Sequence, residues 1–471
     1  MTRIRSPDGL GWPSTAPSPA PTSTETQNSW AKGSKPWQLP PRKVYMLRNA
    51  NVVDPLNGVL LMDRDIILRD GLIMAVCETS EHGGVAVLDG EDVTVVDLEH
   101  KFVCPGLIDC HVHLSSVPGI GTGNLASAMP RDVAESLLRQ PFLCKEVLKR
   151  GFTTLRDTGG ATLALKEAIA DEVFPGPRLF IANQALSQTG GHGDSRGSHD
   201  HSSISCCGQS RPGLSVVCDG VSDCIRAARE QLRTGADFIK IMASGGVASP
   251  TDRLTNTQFT ASEIRAICEV AGSYGTYVTA HAYTPAAIRH AVENGVRGIE
   301  HGNLIDRDTA KYMAEKKVWF TPTLVTYEAM ADRDRYPGFL PPENANKNRA
   351  ILEAGLRSVE LARDAGVRIC LGSDLLGSLW AEQSREFAIR RRILSSLDVV
   401  RSATVNAAEM LGQGNNLGQV KAGYLADLLV LGTNPLEDVS SLATPDTSIL
   451  AVVKDGRVWH SQWSRLPIDT A

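Results

Sequence analysis

Between residues 106 and 374 short apolar runs alternate with stretches of helical patterning, a constraint that few architectures satisfy. The apolar runs are GLIDCHVH (106–113), TTLRD (153–157), RLFIA (178–182), DFIKIMAS (237–244), YVTAHA (277–282), GIEHG (298–302), VWFTPTL (318–324) and VRICLGSD (367–374). Most are separated by segments such as ESLLRQPFLCKEVLKRG, SEIRAICEVAGSYG, PAAIRHAVENG and RAILEAGLRSVELARDAG. Several of these end in Gly, which favours the backbone conformation at a helix C-terminus. Near-continuous apolar runs are what parallel strands covered on both faces require. Eight of them, with seven or eight helical segments between, predict an α/β fold, a (β/α)8 TIM barrel over residues 106–417.

The flanks read differently. VYMLRNANVVD, DRDIILRDGLIMAV and VTVVDLEHKFV are strand-like and are punctuated by Asn57-Gly58, Asp70-Gly71 and Asp89-Gly90. LADLLVLGTNP and ILAVVKDGRVWHS repeat the pattern near the C-terminus, with Asp455-Gly456 as a hairpin turn. The expectation is one composite β-sandwich domain built from residues 44–105 and 418–462, with the barrel inserted between its halves. Residues 1–43, dense in Pro, Ser and Thr and lacking an apolar core segment, are expected to be a disordered tail. They carry neither a signal peptide nor a membrane span, so a cytoplasmic location is the default, and a Ser-rich transit peptide stays open.

A hydrophobic fraction of 42% leaves ample material for a core, and a net charge of −5 argues against nucleic acid or an anionic membrane as partner. Small-molecule chemistry fits better. The ten cysteines form no regular framework, and Cys77, Cys110, Cys268 and Cys370 sit in apolar stretches, as free buried thiols do. Cys206, Cys207, Cys218 and Cys224 lack the Cys-x-x-Cys spacing of a zinc site.

The chemistry-bearing residues fall at strand ends. His111 and His113 stand one residue apart, so on a strand both imidazoles project to one side, about 7 Å apart along the chain. Lys240 lies in the fourth strand, and His281, His301 and Asp374 close the fifth, sixth and eighth. Taken singly, each has a bland reading: a satisfied polar histidine, a helix-capping aspartate, a lysine paired with a carboxylate. Taken together, all six converge on the same mouth of a barrel. Zinc accepts His nitrogen and carboxylate oxygen, and two metals can hold a bridging hydroxide and polarise a carbonyl. Lys240, flanked by Phe238, Ile239, Ile241 and Met242, would be costly to bury as an ammonium. As a neutral amine near two cations it could take up carbon dioxide and become an anionic, carboxylated bridge. The long polar segment 187–219 follows the third strand and is read as a substrate-enclosing loop. Within it His192 is a candidate for substrate contact, whereas His199 and His201 read as solvated. His82, His100, His290 and His460 lie away from strand ends and read as surface or supporting residues.

PGLIDCHVHL, the lysine of FIKIMASGG, the AHA and IEHG histidines and the aspartate of LGSD resemble the metal-dependent amidohydrolase superfamily over about Val44 to His460. ALSQTGGHGD, KIMASGGVASP with the following QFT, and GYLADLLVLGTNPLED resemble the branch that includes ochratoxinase, imidazolonepropionase-like proteins and Xaa-Pro dipeptidase-like carboxypeptidases. The resemblance implies that His111, His113 and Asp374 bind one metal, that His281 and His301 bind a second, and that carboxylated Lys240 bridges them. It further implies two divalent ions, expected to be Zn2+, with Asp374 as the catalytic acid/base and a homo-oligomeric assembly. Ligand type favours zinc over magnesium, although manganese, iron and cobalt accept the same groups. The expected reaction is attack of a metal-bridging hydroxide on the C–N bond of an N-acyl amino acid, dipeptide or ochratoxin-like amide. Hydrolysis of a cyclic amide or imidazolone, metal-dependent decarboxylation and a non-catalytic scaffold are the alternatives. One position departs from many relatives: Tyr283 stands where they carry a second histidine, and it is a candidate either to donate a hydrogen bond to a substrate carbonyl or carboxylate or only to pack.

Overall fold

The computed structural model describes residues 35, 37–79, 92–119, 124–125, 133–200, 213–249 and 251–469. Most of the expected tail therefore lies outside the described residues, as do the Asp89-Gly90 turn, His82, His201, Cys206 and Cys207. All the named strands and helices belong to the unit that begins at Pro40.

Alternation governs the first strand, β1 (Val44–Asp54), in which Tyr45 and Leu47 are buried between half-exposed neighbours. It is followed by β2 (Val59–Arg69), β3 (Leu72–Glu78), β4 (Val93–Asp97) and β5 (Phe102–Pro105). The central strands are β6 (Leu107–Val112), β7 (Phe152–Asp157), β8 (Arg178–Ile181), β9 (Ala185–Ser187), β10 (Ser215–Val217), β11 (Ile239–Met242), β12 (Val278–Ala282), β13 (Gly298–His301), β14 (Trp319–Thr321) and β15 (Arg368–Ile369). The chain ends with β16 (Leu428–Leu431), β17 (Ile449–Lys454) and β18 (Arg457–Ser461).

The two terminal sets share one eight-stranded sheet, ordered β18-β17-β16-β5-β1-β2-β3 with β4 also paired to β1. Antiparallel pairing of β16 with β5, Leu428 opposite Pro105 through Leu431 opposite Phe102, joins the distant ends of the chain. Tyr45, Leu47, Ile66, Leu68, Val103, Leu428, Val430 and Val453 form its core. Outside this core, Leu429 and Ile449 crowd the place where a Cβ on Gly151, just before β7, would stand, so this sheet packs on the central strands.

The central strands are parallel throughout. They form a seven-stranded sheet, β10-β9-β11-β12-β13-β14-β15, and a three-stranded one, β6-β7-β8. Backbone bonds link the two sets on both sides: Asp237 N to Ile181 O at 2.7 Å, Cys110 N to Leu371 O at 2.8 Å and Asp374 N to His111 O at 2.8 Å. Helices such as Gln140–Lys149, Val221–Arg233, Ala261–Ser273, Pro285–Glu293 and Arg307–Glu315 alternate with these strands, a TIM-barrel-like α/β arrangement. Local sequence starts the helices cleanly. Thr260 and Glu263 form a reciprocal cap on one, and Thr284 and Asp306 cap two others.

Two differences from the sequence reading stand out. The paired strands are short, since Pro322 ends VWFTPTL as a strand and only Arg368 and Ile369 of VRICLGSD are laddered. Within the 187–219 segment, read as loop, Ser215–Val217 pairs in parallel with β9 as an edge strand. No helix among the described residues is long and apolar enough to cross a membrane.

Beneath the strands Arg390 is fully buried, its Nε donating to Glu386 Oε1 at 2.6 Å and its other nitrogens to the carbonyls of Cys370 (3.0 Å) and Pro322 (2.6 Å). Glu386 accepts in turn from Val325 N at 2.7 Å. Burial pushes its carboxyl up to about 7 against the pull of Arg390. Arg390→Met is expected to cost about 3–5 kcal/mol in chemical denaturation, because it strands a buried carboxylate, and the Glu386→Leu/Arg390→Met double variant should recover much of that loss. A single variant as stable as the parent would show that the pair does not brace these strands.

Candidate metal centre

Strand alternation carries His111 and His113 to the same side of β6, with ring centroids 5.3 Å apart. Each spends one nitrogen on the protein. His111 Nδ1–H donates to Glu300 Oε2 at 2.8 Å, and His113 Nδ1–H donates to the Gly159 carbonyl at 2.8 Å. A carboxylate and a carbonyl can only accept, so Nδ1 carries a proton in both rings and Nε2 is the nitrogen turned toward the site. Those two nitrogens converge on Asp374 Oδ1, at 3.4 and 3.3 Å. The ligand atoms of His111, His113 and Asp374 all lie within 4.8 Å of one another.

His281 and His301 complete the wall. His281 donates from Nε2 to the Gly245 carbonyl at 3.2 Å, leaving Nδ1 bare. His301 uses Nδ1 with Thr323 Oγ1 at 2.8 Å and Tyr327 OH at 3.0 Å. The His301 ring lies 4.9 Å from that of His111 and 4.5 Å from that of His281. All four histidines are buried. Such outer partners fix the tautomer and aim of a metal-binding histidine, so the donor set fits a divalent cation.

Lys240 sits midway along β11, opposite Thr279, and is buried. Burial pushes its amine down to about 8, and the charges of Glu300 and Asp374 oppose the drop. A depressed value means a larger neutral fraction, the form that reacts with carbon dioxide. Burial, followed by the charge of Lys240, holds His111 well below its usual range. Burial lowers His113, and the carboxylates of Asp374 and Asp157 together more than reverse this and raise it. Burial pushes the Asp374 carboxyl upward, and the neighbouring His111, His113 and His301 more than reverse this, leaving it ionised.

Two of the left-handed residues lie here. His301 and Asp374 have φ of 70° and 52°, in the left-handed region that residues with a Cβ rarely adopt. Each costs on the order of 1–3 kcal/mol unless its surroundings hold it.

The structure thus brings together His111, His113, Lys240, His281, His301 and Asp374. It also places both further candidates beside them. The His192 ring lies flat on that of His281, with centroids 4.2 Å apart, and Tyr283 stacks on His301 at 5.2 Å. The Tyr283 hydroxyl is already engaged with Tyr327 OH at 2.7 Å. His199 is exposed, as expected. His100 pairs with Asp63 at the surface, and His290 donates to the Phe259 carbonyl. Cys218 and Cys224 are buried, with sulfurs 3.8 Å apart.

Several supporting residues escaped the sequence reading. Glu300 immediately precedes His301, and alternation would place it on the opposite side of β13. The left-handed turn at His301 brings both residues to one site. The other oxygen of Glu300 accepts from Arg156 and Thr279. Thr323, Tyr327 and Gly159 were equally unsignalled, because their partners lie on other strands.

The amidohydrolase family model matches residues 102–459. Ochratoxinase of Aspergillus niger is 30% identical over 420 residues, covering 87% of this chain and 85% of its own length. A crystal structure of an amidohydrolase superimposes with a TM-score of 0.83 at 43% identity, covering 89% of this chain and 100% of that one. A prolidase complexed with N-methylphosphonate-L-proline gives a TM-score of 0.82 at 40% identity, with the same coverage. With the histidine-and-aspartate site on strand ends and a family match over most of its length, the chain belongs to the amidohydrolase family, in the branch of ochratoxinase and the prolidase-like enzymes.

Proposed function

We propose that the chain is a binuclear metal-dependent hydrolase of amide C–N bonds whose leaving group is an amino acid: an N-acyl amino acid, a dipeptide or an ochratoxin-like amide. The observation that carries this reading is the set of buried imidazoles beside Lys240 and Asp374, each with one nitrogen spent on the protein. The substrate class draws on the relatives, one named an ochratoxinase and another a prolidase complexed with a phosphonate of proline.

In this reading His111, His113 and Asp374 would hold one cation and His281 and His301 the other, with Lys240, once carboxylated, as a further anionic ligand between the two sets. Divalent ions, zinc the first choice, would polarise the amide carbonyl and lower the pKa of water. Asp374 takes up a proton on a carboxylate oxygen and returns it to the departing amine. Its ionised state in the buried site suits it to begin as the base. Tyr283 stays protonated, because burial and Tyr327 hold its hydroxyl well above the usual range, and it would orient a substrate carbonyl or carboxylate only by giving up its bond to Tyr327. His192 lines the same pocket. Residues 106–417 close as a (β/α)8 barrel, residues 44–105 and 418–462 form the sandwich domain, and the protein works as a homo-oligomer on small molecules.

Purified protein is expected to carry close to two metals per chain by elemental analysis. Chelation should abolish hydrolysis of N-acyl amino acids, and zinc with bicarbonate should restore it. Turnover that survives with both metals gone would refute the reading. His111→Ala and Lys240→Ala are each expected to lower kcat by at least about a thousandfold, with metal content falling in parallel. Glu300→Gln keeps the shape of the side chain but removes its charge from His111, and metal affinity or kcat should drop about 10–100-fold. Titration with a competing chelator distinguishes the two, and no change in either would show that Glu300 serves only the fold.

A further inference from the structure

Away from the metal-facing residues, two thiols meet at the edge of the seven-stranded sheet. Cys218 directly follows β10, the outermost strand of that sheet, and Cys224 lies in the first turn of the helix Val221–Arg233. Both are buried, and Cys224 Sγ also lies 4.0 Å from the Cys218 carbonyl. Their sulfurs are 3.8 Å apart, and a disulfide needs about 2.05 Å, so the pair is short of a covalent bond by about 1.8 Å. The chain between them has room to close that gap. Gly220, with φ of 76°, turns the backbone into the helix, and nothing stands within 4 Å of where its Cβ would be.

A bond here would fasten the edge strand. β10 is three residues long, and within the sheet it pairs with β9 alone. Its end is tied by Cys218 N donating to Ser187 O at 2.9 Å, by Asp219 accepting from Thr189 N at 3.0 Å and Thr189 Oγ1 at 2.6 Å, and by Gly220 N donating to Glu263 Oε1 at 2.6 Å. Asp219 and Gly220 are exposed. A short strand with one neighbour and an exposed flank opens at lower free energy than the strands inside the sheet. While it is docked the pair is inert, because the hydrogen bond from Cys224 and then burial hold the Cys218 thiol well above its usual range and the thiolate is the reactive form.

We propose that Cys218 and Cys224 are a redox modification site: a low-molecular-weight disulfide converts them to an intramolecular disulfide that fastens β10 to the helix Val221–Arg233. Lifting of β10 exposes Cys218, whose thiolate attacks one sulfur of R–S–S–R. A protein–S–S–R bond forms, and the departing R–S⁻ takes up the proton that Cys218 lost. The Cys224 thiolate then attacks the Cys218 sulfur, the second R–S⁻ leaves and takes the proton of Cys224, and the protein S–S bond is complete. The protein has given up two electrons and two protons, and the small disulfide has become two thiols. Because the two sulfurs are neighbours, the second step is intramolecular and outruns attack by another small disulfide. The inference is independent of the hydrolase reading.

The test incubates the full-length metal-loaded protein with hydroxyethyl disulfide, then quenches with acid and denatures it before the remaining thiols are alkylated. Cleavage before Asp219 and Asp223 separates the two cysteines, and fragmentation of any linked peptides identifies the partners. A Cys218–Cys224 link is expected, with the protein lighter by two hydrogens. Amide hydrogen exchange at residues 215–219 should become about tenfold slower, and a reductant should reverse it. Cys224→Ser should instead trap the small thiol on Cys218. Two thiols still free after prolonged incubation, an unresolved mixed disulfide on the parent, or a bond from Cys218 to Cys206 or Cys207 overturns the proposal. A Cys218–Cys224 link with unchanged exchange overturns it as well, since such a bond fastens nothing. Should Cys224→Ser fail to fold, the peptide map and exchange of the parent decide alone.

Discussion

The carboxylate of Glu300 is the interaction on which the site depends. One oxygen fixes the His111 tautomer, and the other takes Arg156 and Thr279. A buried carboxylate is costly unless every lone pair finds a donor, and here both oxygens are satisfied by groups on three other strands. Arg156 is equally buried, and its Nε donates to the Cys110 carbonyl, one residue before His111. The pair therefore grips β6 through both backbone and side chain. Its charge also reaches Lys240, where Glu300 limits how far burial depresses the amine.

Strain and satisfaction are balanced against each other around this carboxylate. His301, at the end of β13, and Asp374, in the segment after β15, adopt left-handed backbone, and each is held by more than one contact. Asp374 N bonds to His111 O, and its carboxylate meets two imidazoles. His301 is tied to Thr323 and Tyr327. The adjoining backbone is also pinned, since Asp109 accepts from Ser373 N at 3.1 Å and Ser373 Oγ at 2.6 Å. Over-determination of this kind is what keeps a rare conformation in place.

The legibility of the chain follows from the range of the interactions involved. The parallel α/β order and the grouping of the six candidate residues could be read because strand alternation and apolar patterning are local, and because residues such as His111 and Asp374 end apolar runs of the sequence. Pairing of the two terminal β segments was legible for the same reason. Glu300 was not, since a single left-handed residue after it overrides alternation. The edge strand Ser215–Val217 was hidden in a polar segment, because it leans on one neighbour and needs little apolar length. Ser249, Asp252 and Lys347 gave no sign of one another, because about ninety-five residues separate the lysine from the carbonyls it gathers.

The helix Pro342–Asp364 shows why that last set matters beyond its own loop. Asn344, Lys347 and Asn348 stand at spacings of three and four and so share one helix face. Asn344 and Lys347 hold the loop after β11, whose Ser249 meets His192, while Asn348 donates to the Tyr327 carbonyl at 3.1 Å. Tyr327 in turn meets Tyr283 and His301. The two polar walls over the candidate metal centre are thus referenced to the same rigid element. A shift of this helix would move His192 and the Tyr283–Tyr327 pair together, whereas His111 and His113, fixed from below by Glu300 and Gly159, would stay in place. The helix is thus coupled through Tyr327 to His301 and through the loop after β11 to His192, which stacks on His281, whereas His111 and His113 take their partners from Glu300 and Gly159.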